Sequence, residues 1–267
     1  MSPRENDAPR GKEKSVKMRW LMIVIMAALP ASARAENNSV PLAKNVLIGS
    51  VSTDTLGVAP ADQNWFRYQV KAGRSYCAEV DNGEVETSIR DTVLTVYRTD
   101  GTTIVGANDD IADEPAASVL SRVCYIATVD EDNLAKVTTG ATGTAGTFRI
   151  RIIDTTLFCP WFFSGAGFEA FILVKNTTAT ARQATVTLYS PAGASLGTQS
   201  GMAPVNGSYN LQVSAASPTG FGLASASGGV QIAHNGPPGA LIANVTSLSF
   251  GSGVSFDTPA SPRQDFR

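Results

Sequence analysis

Oxygen-bearing side chains crowd one stretch of this sequence, Asn108-Asp109-Asp110-Ile111-Ala112-Asp113-Glu114, with Asp100 on the turn before it and Asp91 ahead of a strand pattern. Carboxylates and amides are the ligands of hard cations. Calcium gathers about six to eight oxygens, and a loop between strands can supply them from separated positions. The spacing is not that of a helix-loop-helix calcium motif. Two readings therefore stand side by side: a calcium set of Asp91, Asp100, Asn108, Asp109, Asp110 and Asp113, and a solvated acidic loop. A hydrolase would use the same carboxylates as acid and base, since a glycosidase pair needs no fixed sequence spacing.

Sulfur and imidazole are scarce, with three cysteines and one histidine in 267 residues. Cys77 and Cys124 fall on strand patterns whose apolar sets (Tyr76, Ala78, Val80 and Val123, Tyr125, Ala127) occupy the opposite parity, so both thiols point to the other face and can meet. A Cys77–Cys124 bridge is predicted for an exported chain, where the compartment is oxidising. Cys159, between Phe158 and Pro160, reads as a small buried apolar residue. His234 stands at a strand end before Asn235-Gly236-Pro237 and reads as a solvated turn residue with no triad around it. Zinc-helix motifs, phosphate-cradling glycine loops and Cys-x-x-Cys pairs are absent, and a single histidine leaves few options for a nucleophile–base pair, which points away from an enzyme.

Aromatic residues provide the other chemistry. Phe158, Trp161, Phe162, Phe163, Phe168 and Phe171 form a cluster expected at the contact between two halves of the chain. Three consecutive aromatics on a strand cannot all face inward, so at least one must be exposed or wedged. Trp161 and Trp65, the latter on the outward parity of its strand, are the candidate binding anchors.

The elements that must position these residues are strands. Ser, Thr, Gly and Val are abundant and only 16% of residues are charged, a balance that favours many short strands. At the amino terminus, basic residues from Arg4 to Arg19 precede an apolar run, Trp20 to Leu29, and an Ala33-Arg34-Ala35 cleavage pattern. Residues 1–35 read as a signal peptide, with translation starting at Met1 or Met18, and the mature protein as secreted, periplasmic or part of the cell envelope. The apolar run is half of what spans a bilayer, so no membrane span is expected after cleavage. The remaining chain carries 14 basic and 20 acidic residues, which disfavours nucleic acid as a partner.

Charge also divides the chain. Residues 36–155 hold 17 acidic and 10 basic side chains, and 156–267 only three and four. Two all-β domains are predicted, 36–155 and 156–257, with 258–267 a loose tail. Alternation predicts strands over Asn64–Val70 and Ser75–Val80, joined by Lys71-Ala72-Gly73-Arg74 as an antiparallel hairpin, then over 92–97, 102–106, 119–129 and 147–153. In the second half strands are predicted over 169–175, 184–190, 209–213, 229–233, 241–245 and 254–256, and no helix pattern competes.

Asn64-Trp65-Phe66-Arg67-Tyr68-Gln69-Val70-Lys71-Ala72-Gly73, then Asp91 to Tyr97 with Asp100-Gly101, Asn108-Asp109-Asp110 and Gly146-Thr147-Phe148-Arg149-Ile150, resembles the bacterial pre-peptidase C-terminal domain over about residues 45–155. The resemblance implies a jelly-roll-like β-sandwich attached to secreted enzymes, itself non-catalytic, which in some members binds calcium or an insoluble substrate. Within these 267 residues no peptidase domain is expected beside it. By strand spacing, residues 156–260 resemble an immunoglobulin- or fibronectin-type sandwich. Together these features predict two β-sandwiches in a secreted, non-catalytic protein that binds an extracellular polymer or another exported protein, with calcium as a structural ion implied by the resemblance. The alternatives are a secreted hydrolase using the acidic loop and a structural envelope component.

Overall fold

The computed structural model describes residues 37–57, 62–82, 91–112, 120–141 and 145–263. The predicted signal peptide lies outside them. Apart from one short 3-10 turn, Val40–Leu42, the regular secondary structure of the described residues is strand, arranged as four sheets around two apolar cores within one compact unit. None of their helices is long and apolar enough to cross a membrane.

The first core lies between two sheets built from β1 (Lys44–Asn45), β2 (Val51–Leu56), β3 (Gln63–Val70), β4 (Ser75–Asp81), β5 (Thr92–Tyr97), β6 (Ile104–Asn108), β7 (Arg122–Ile126), β8 (Glu131–Thr139) and β9 (Gly146–Asp154). One sheet runs β1-β3-β8-β5-β6, the other β2-β9-β4-β7. Leaving aside the short parallel edge strand β1, these eight strands have the two-sheet order of a jelly roll. Strand alternation builds the core: Phe148, Ile150 and Ile152 of β9 are fully buried, whereas Thr147, Arg149 and Arg151 between them lie on the other face. Phe66 meets Phe148 edge to face at 5.9 Å.

The pair expected as a hairpin is a corner instead. β3 pairs with β1 and β8, while β4 pairs with β7 and β9, so Lys71–Arg74 carries the chain from one sheet to the other. Gly73, at φ +74°, takes the left-handed turn there, and Tyr76 accepts a hydrogen bond from the Lys71 amide across it. Loop length alone is the same for a hairpin and a sheet-to-sheet corner.

The second core lies between β13-β12-β15-β10-β18 and β14-β11-β16-β17. These strands are β10 (Leu157–Ser164), β11 (Phe168–Asn176), β12 (Arg182–Tyr189), β13 (Ser195–Ala203), β14 (Ser208–Gln212), β15 (Ala226–His234), β16 (Leu241–Ser249), β17 (Ser255–Pro259) and β18 (Ser261–Pro262). The result is a β-sandwich, but its order departs from the immunoglobulin arrangement. There the first strand shares a sheet with the second and fifth, and the seventh with the third and sixth. Here β10 pairs with β15 and β16 pairs with β11, so the first and seventh strands have exchanged sheets. The expected loose tail is also partly corrected: Thr258 and Pro259 pair with β16, and Ser261 and Pro262 with β10.

Cys77 and Cys124 stand directly opposite on β4 and β7 and are bonded, on the face turned away from the first core. Their sequence separation is 47. A loop of that length lowers the entropy of the unfolded chain by an amount worth about 4 kcal/mol at 25 °C. Replacing both cysteines by alanine is therefore expected to lower the denaturant-extrapolated stability by about 2–4 kcal/mol, without changing the near-native far-UV spectrum below the midpoint.

Candidate functional site

The acidic residues do not come together as one set. Asp100 closes the β5–β6 turn, and its carboxylate accepts from the Thr102 and Thr103 amides at 2.8 Å each and from the Thr103 hydroxyl at 2.6 Å. Those bonds, the Thr103 hydroxyl first, hold its pKa well below the usual carboxylate range. Asp91 and Asn108 are at the other end of the same hairpin, since Leu94 pairs with Asn108 and Tyr97 with Ile104. Six residues of strand separate the two ends by roughly 20 Å, so Asp100 cannot share an ion with Asp91. The Asn108 amide is occupied locally: its oxygen accepts from the Arg122 amide at 3.0 Å and its nitrogen donates to the Asp110 carbonyl at 2.8 Å. Asp109 is exposed; the slight desolvation it does undergo, and the nearby negative charges of Asp91 and Asp110, raise its pKa. Asp113 lies outside the described residues. Among the described residues no three His, Cys, Asp or Glu side chains converge as a metal site, and of the six residues read as a calcium set Asp100 stands apart from the others.

Trp65 is not an exposed anchor. It has the outward parity expected of it, but it is 6% accessible, packed on Tyr97 at 5.3 Å with the Lys136 ammonium 5.7 Å from its ring. The chain before β1 covers it as well, the Asn37 and Trp65 backbones and the Asn37 amide exchanging hydrogen bonds of 2.9 Å.

Trp161 is exposed, at 41%. A bulge in β10 produces this: Cys159 pairs with Val230 and Phe162 with Gly228, so Pro160 and Trp161 stand opposite one residue. The Pro160 ring has no N–H to place in the ladder, consistent with an irregularity at that point. Trp161 stacks on Phe163 (6.0 Å, 2°), Phe163 meets Phe168 edge-on (5.7 Å), Phe168 stacks on Phe256 (5.8 Å, 28°), and Phe256 meets Trp161 edge-on (6.2 Å). The four rings form a closed herringbone with Phe256 48% exposed. Phe256 lies on β17, beyond the cluster visible in the sequence, and only the pairing of β17 with β16 brings it there. The cluster is therefore not the contact between the halves; of its members Phe158 approaches the first half, lying under the Arg74 guanidinium at 5.6 Å.

That contact is built from the outer face of β2-β9-β4-β7. Cys77 Sγ lies 3.4 Å from the Gly236 carbonyl, and the Gln231 amide donates to the Gly73 carbonyl at 2.8 Å. The Ser75 and Thr155 backbones and the Thr156 hydroxyl bond across the chain crossing. His234, expected to be solvated, is 1% accessible here, its Nδ1 accepting the Gly236 amide at 3.2 Å. Burial first, then the Arg182 charge, lowers its pKa to about 4 against a partly opposing bond to the Thr155 backbone. Cys159 is free and buried, and desolvation raises its thiol pKa. Two clefts flank the Asn235–Ala240 loop, one of about 320 Å3 beside Asn108, Arg122 and Arg182 and one of about 360 Å3 beside Glu79, Arg151 and Thr177.

No protein-family model and no curated protein matches the chain. Among solved structures it is similar to the pre-peptidase C-terminal domain of a collagenase from Bacillus anthracis, at 10% identity and a TM-score of 0.30, over 41% of this chain and 93% of that domain. It is also similar to a glycosyl hydrolase family 2 member from Bacteroides cellulosilyticus (8% identity, TM-score 0.21, 75% of this chain) and to a Bacteroides uniformis beta-glucuronidase (11%, 0.19, 77%). The chain spans only 28% and 27% of those two enzymes. Likenesses of this size assign neither family nor activity.

Two outcomes are expected. His234 has a folded pKa of about 4 against an ordinary 6.5, so the unfolded chain takes up its proton first as pH falls. The neutral histidine's contribution is complete above about pH 6.5 and is lost progressively down to about pH 4, a change on the order of 3 kcal/mol. Denaturation midpoints of wild type and His234→Gln across that range check this, the variant showing the flatter dependence. For calcium, millimolar addition or chelation is expected to leave the melting temperature unmoved; a rise abolished by Asp109→Asn with Asp110→Asn would place an ion at that end of the hairpin.

Proposed function

We propose that this is an exported, non-catalytic binding protein that holds an extracellular polymer on the Trp161–Phe163–Phe168–Phe256 patch. The observation that carries the reading is the simultaneous exposure of Trp161 and Phe256 on rings already locked against one another. Aromatic rings are rigid, so docking a partner on them costs little side-chain entropy, and contiguous exposed apolar surface marks interaction sites. A polymer that presents flat C–H faces repeatedly can use such a patch along its length.

Export is supported by the Cys77–Cys124 bridge, a bond that persists in oxidising compartments. The non-catalytic part of the reading is supported by the two side chains best suited to nucleophilic chemistry. His234 is buried and held neutral, and Cys159 is buried with its thiol pKa raised. In this reading the jelly roll of β2 to β9 is an accessory module of the pre-peptidase C-terminal kind, and the second sandwich carries the adhesive surface.

Sedimentation with cellulose, chitin, peptidoglycan and cross-linked pectin tests it. At least one polymer is expected to retain the mature protein, and Trp161→Ala with Phe256→Ala to reduce the bound fraction about tenfold, while the melting temperature stays within a few degrees because both rings are half exposed. Soluble fragments released from any polymer would make the protein an enzyme. Full retention by the double variant would take the patch out of the mechanism.

A further inference from the structure

The cleft of about 360 Å3 beside the Asn235–Ala240 loop is assembled from rigid parts of both halves. Its floor is a cross-strand ladder on the outer face of β9, β4 and β7, in which Glu79 pairs with Arg151 on one side and Arg122 on the other. Arg122 Nη2 reaches Glu79 Oε1 at 3.2 Å, a hydrogen bond, whereas Arg151 Nη2 stands 3.6 Å from Oε2, beyond one. Arg151 keeps 43% of its side chain exposed, and its Nε–H is buried with no acceptor. Its guanidinium is thus only partly satisfied by the protein.

The wall and rim are preformed. Thr177 donates its hydroxyl to the Gly239 and Ala240 carbonyls at 2.9 and 3.0 Å, fixing that strand end to the loop. The Ala240 amide donates to the Pro237 carbonyl at 3.0 Å, closing a turn with Pro238 and then Gly239 at φ +80°, the pattern of a type II turn. A Cβ built on Gly239 would meet nothing within 4 Å, so a ligand can approach that backbone closely. Among the described residues Glu79 is the only carboxylate lining the cleft, and no apolar side chain among them there is larger than proline. The volume is within the range of about 300–1,000 Å3 typical of small-ligand sites, which occur preferentially at such junctions.

We propose that this cleft binds the acidic group, carboxylate or sulfate, of a saccharide, with Arg151 as its charged contact. A guanidinium fork matches either oxyanion in bidentate geometry, and a ring covered with hydroxyls suits a lining of threonines, backbone and prolines. The choice of saccharide over another anion rests on the polymer reading above; the anion chemistry does not.

Titration calorimetry of the mature protein with tri-galacturonate, its methyl ester, a sulfated trisaccharide and tri-glutamate tests this. At least one acidic sugar is expected to bind at least tenfold more tightly than the ester, with affinity falling as salt rises from 50 to 300 mM; which one binds separates carboxylate from sulfate. Arg151→Gln should lose about tenfold and Arg151→Lys part of it, with Lys44→Gln unchanged. Binding of the ester as tightly as the acid, indifference to Arg151→Gln in a variant that melts like wild type, preference for tri-glutamate, or no binding of any acidic sugar would each overturn the proposal. Trp161→Ala is expected to leave these soluble-ligand affinities unchanged, so the cleft and the patch fail independently.

Discussion

Strand β4 has to satisfy two different environments at once, and the rest of the structure follows from how it does so. Tyr76, Ala78 and Val80 complete the first core on one side. The two-residue period then commits Cys77 and Glu79 to the opposite side, where an ordinary sandwich would meet water. Here that side is covered by the Asn235–Ala240 loop. The disulfide and the Glu79 ladder are consequently neither core nor surface but the floor of a junction, and the second sandwich is positioned by what a single strand displays on its back.

The junction also explains why its polar groups are as they are. A histidine on a turn is ordinarily hydrated, but His234 sits where the Thr155 backbone and the Gly236 amide already occupy it, so a neutral ring is the form that fits. Arg74, paired with Asp154 at 3.4 Å and lying over Phe158, ties the crossing between halves with both charge and ring contact. These contacts are short in sequence on one side and more than 150 residues away on the other, as in Gln231 with Gly73. Junction stability therefore depends on both sandwiches being formed.

Strands whose apolar residues alternate were legible in the sequence. Thr92–Tyr97 has the boundaries read from its pattern, and the parity argument brought Cys77 opposite Cys124. Glu131–Thr139 was not legible, because its first residues are Glu, Asp and Asn; Asn133 is buried by donating to the Tyr125 hydroxyl at 2.7 Å, a partner that no local pattern announces. The acidic set was legible only in part, for a related reason. Its side chains are close in sequence, but hairpin register sends Asp100 to one end and Asn108 to the other. The exposure of Trp161 was legible from the crowding of three aromatics, whereas that expected of Trp65 was not met, because outward parity does not reveal what a distant segment such as Asn37 will cover.

Once residues 1–35 are set aside, Trp65 and Trp161 are the two indoles of the chain, and they occupy contrasting surroundings: one sealed beneath Tyr97 and Lys136, the other open at the bulge. The molecule thus carries a built-in pair of fluorophores, one in each half. A collisional quencher such as acrylamide will reach the emission from the second sandwich far more readily than that from the jelly roll, so the state of each half can be followed optically without a label.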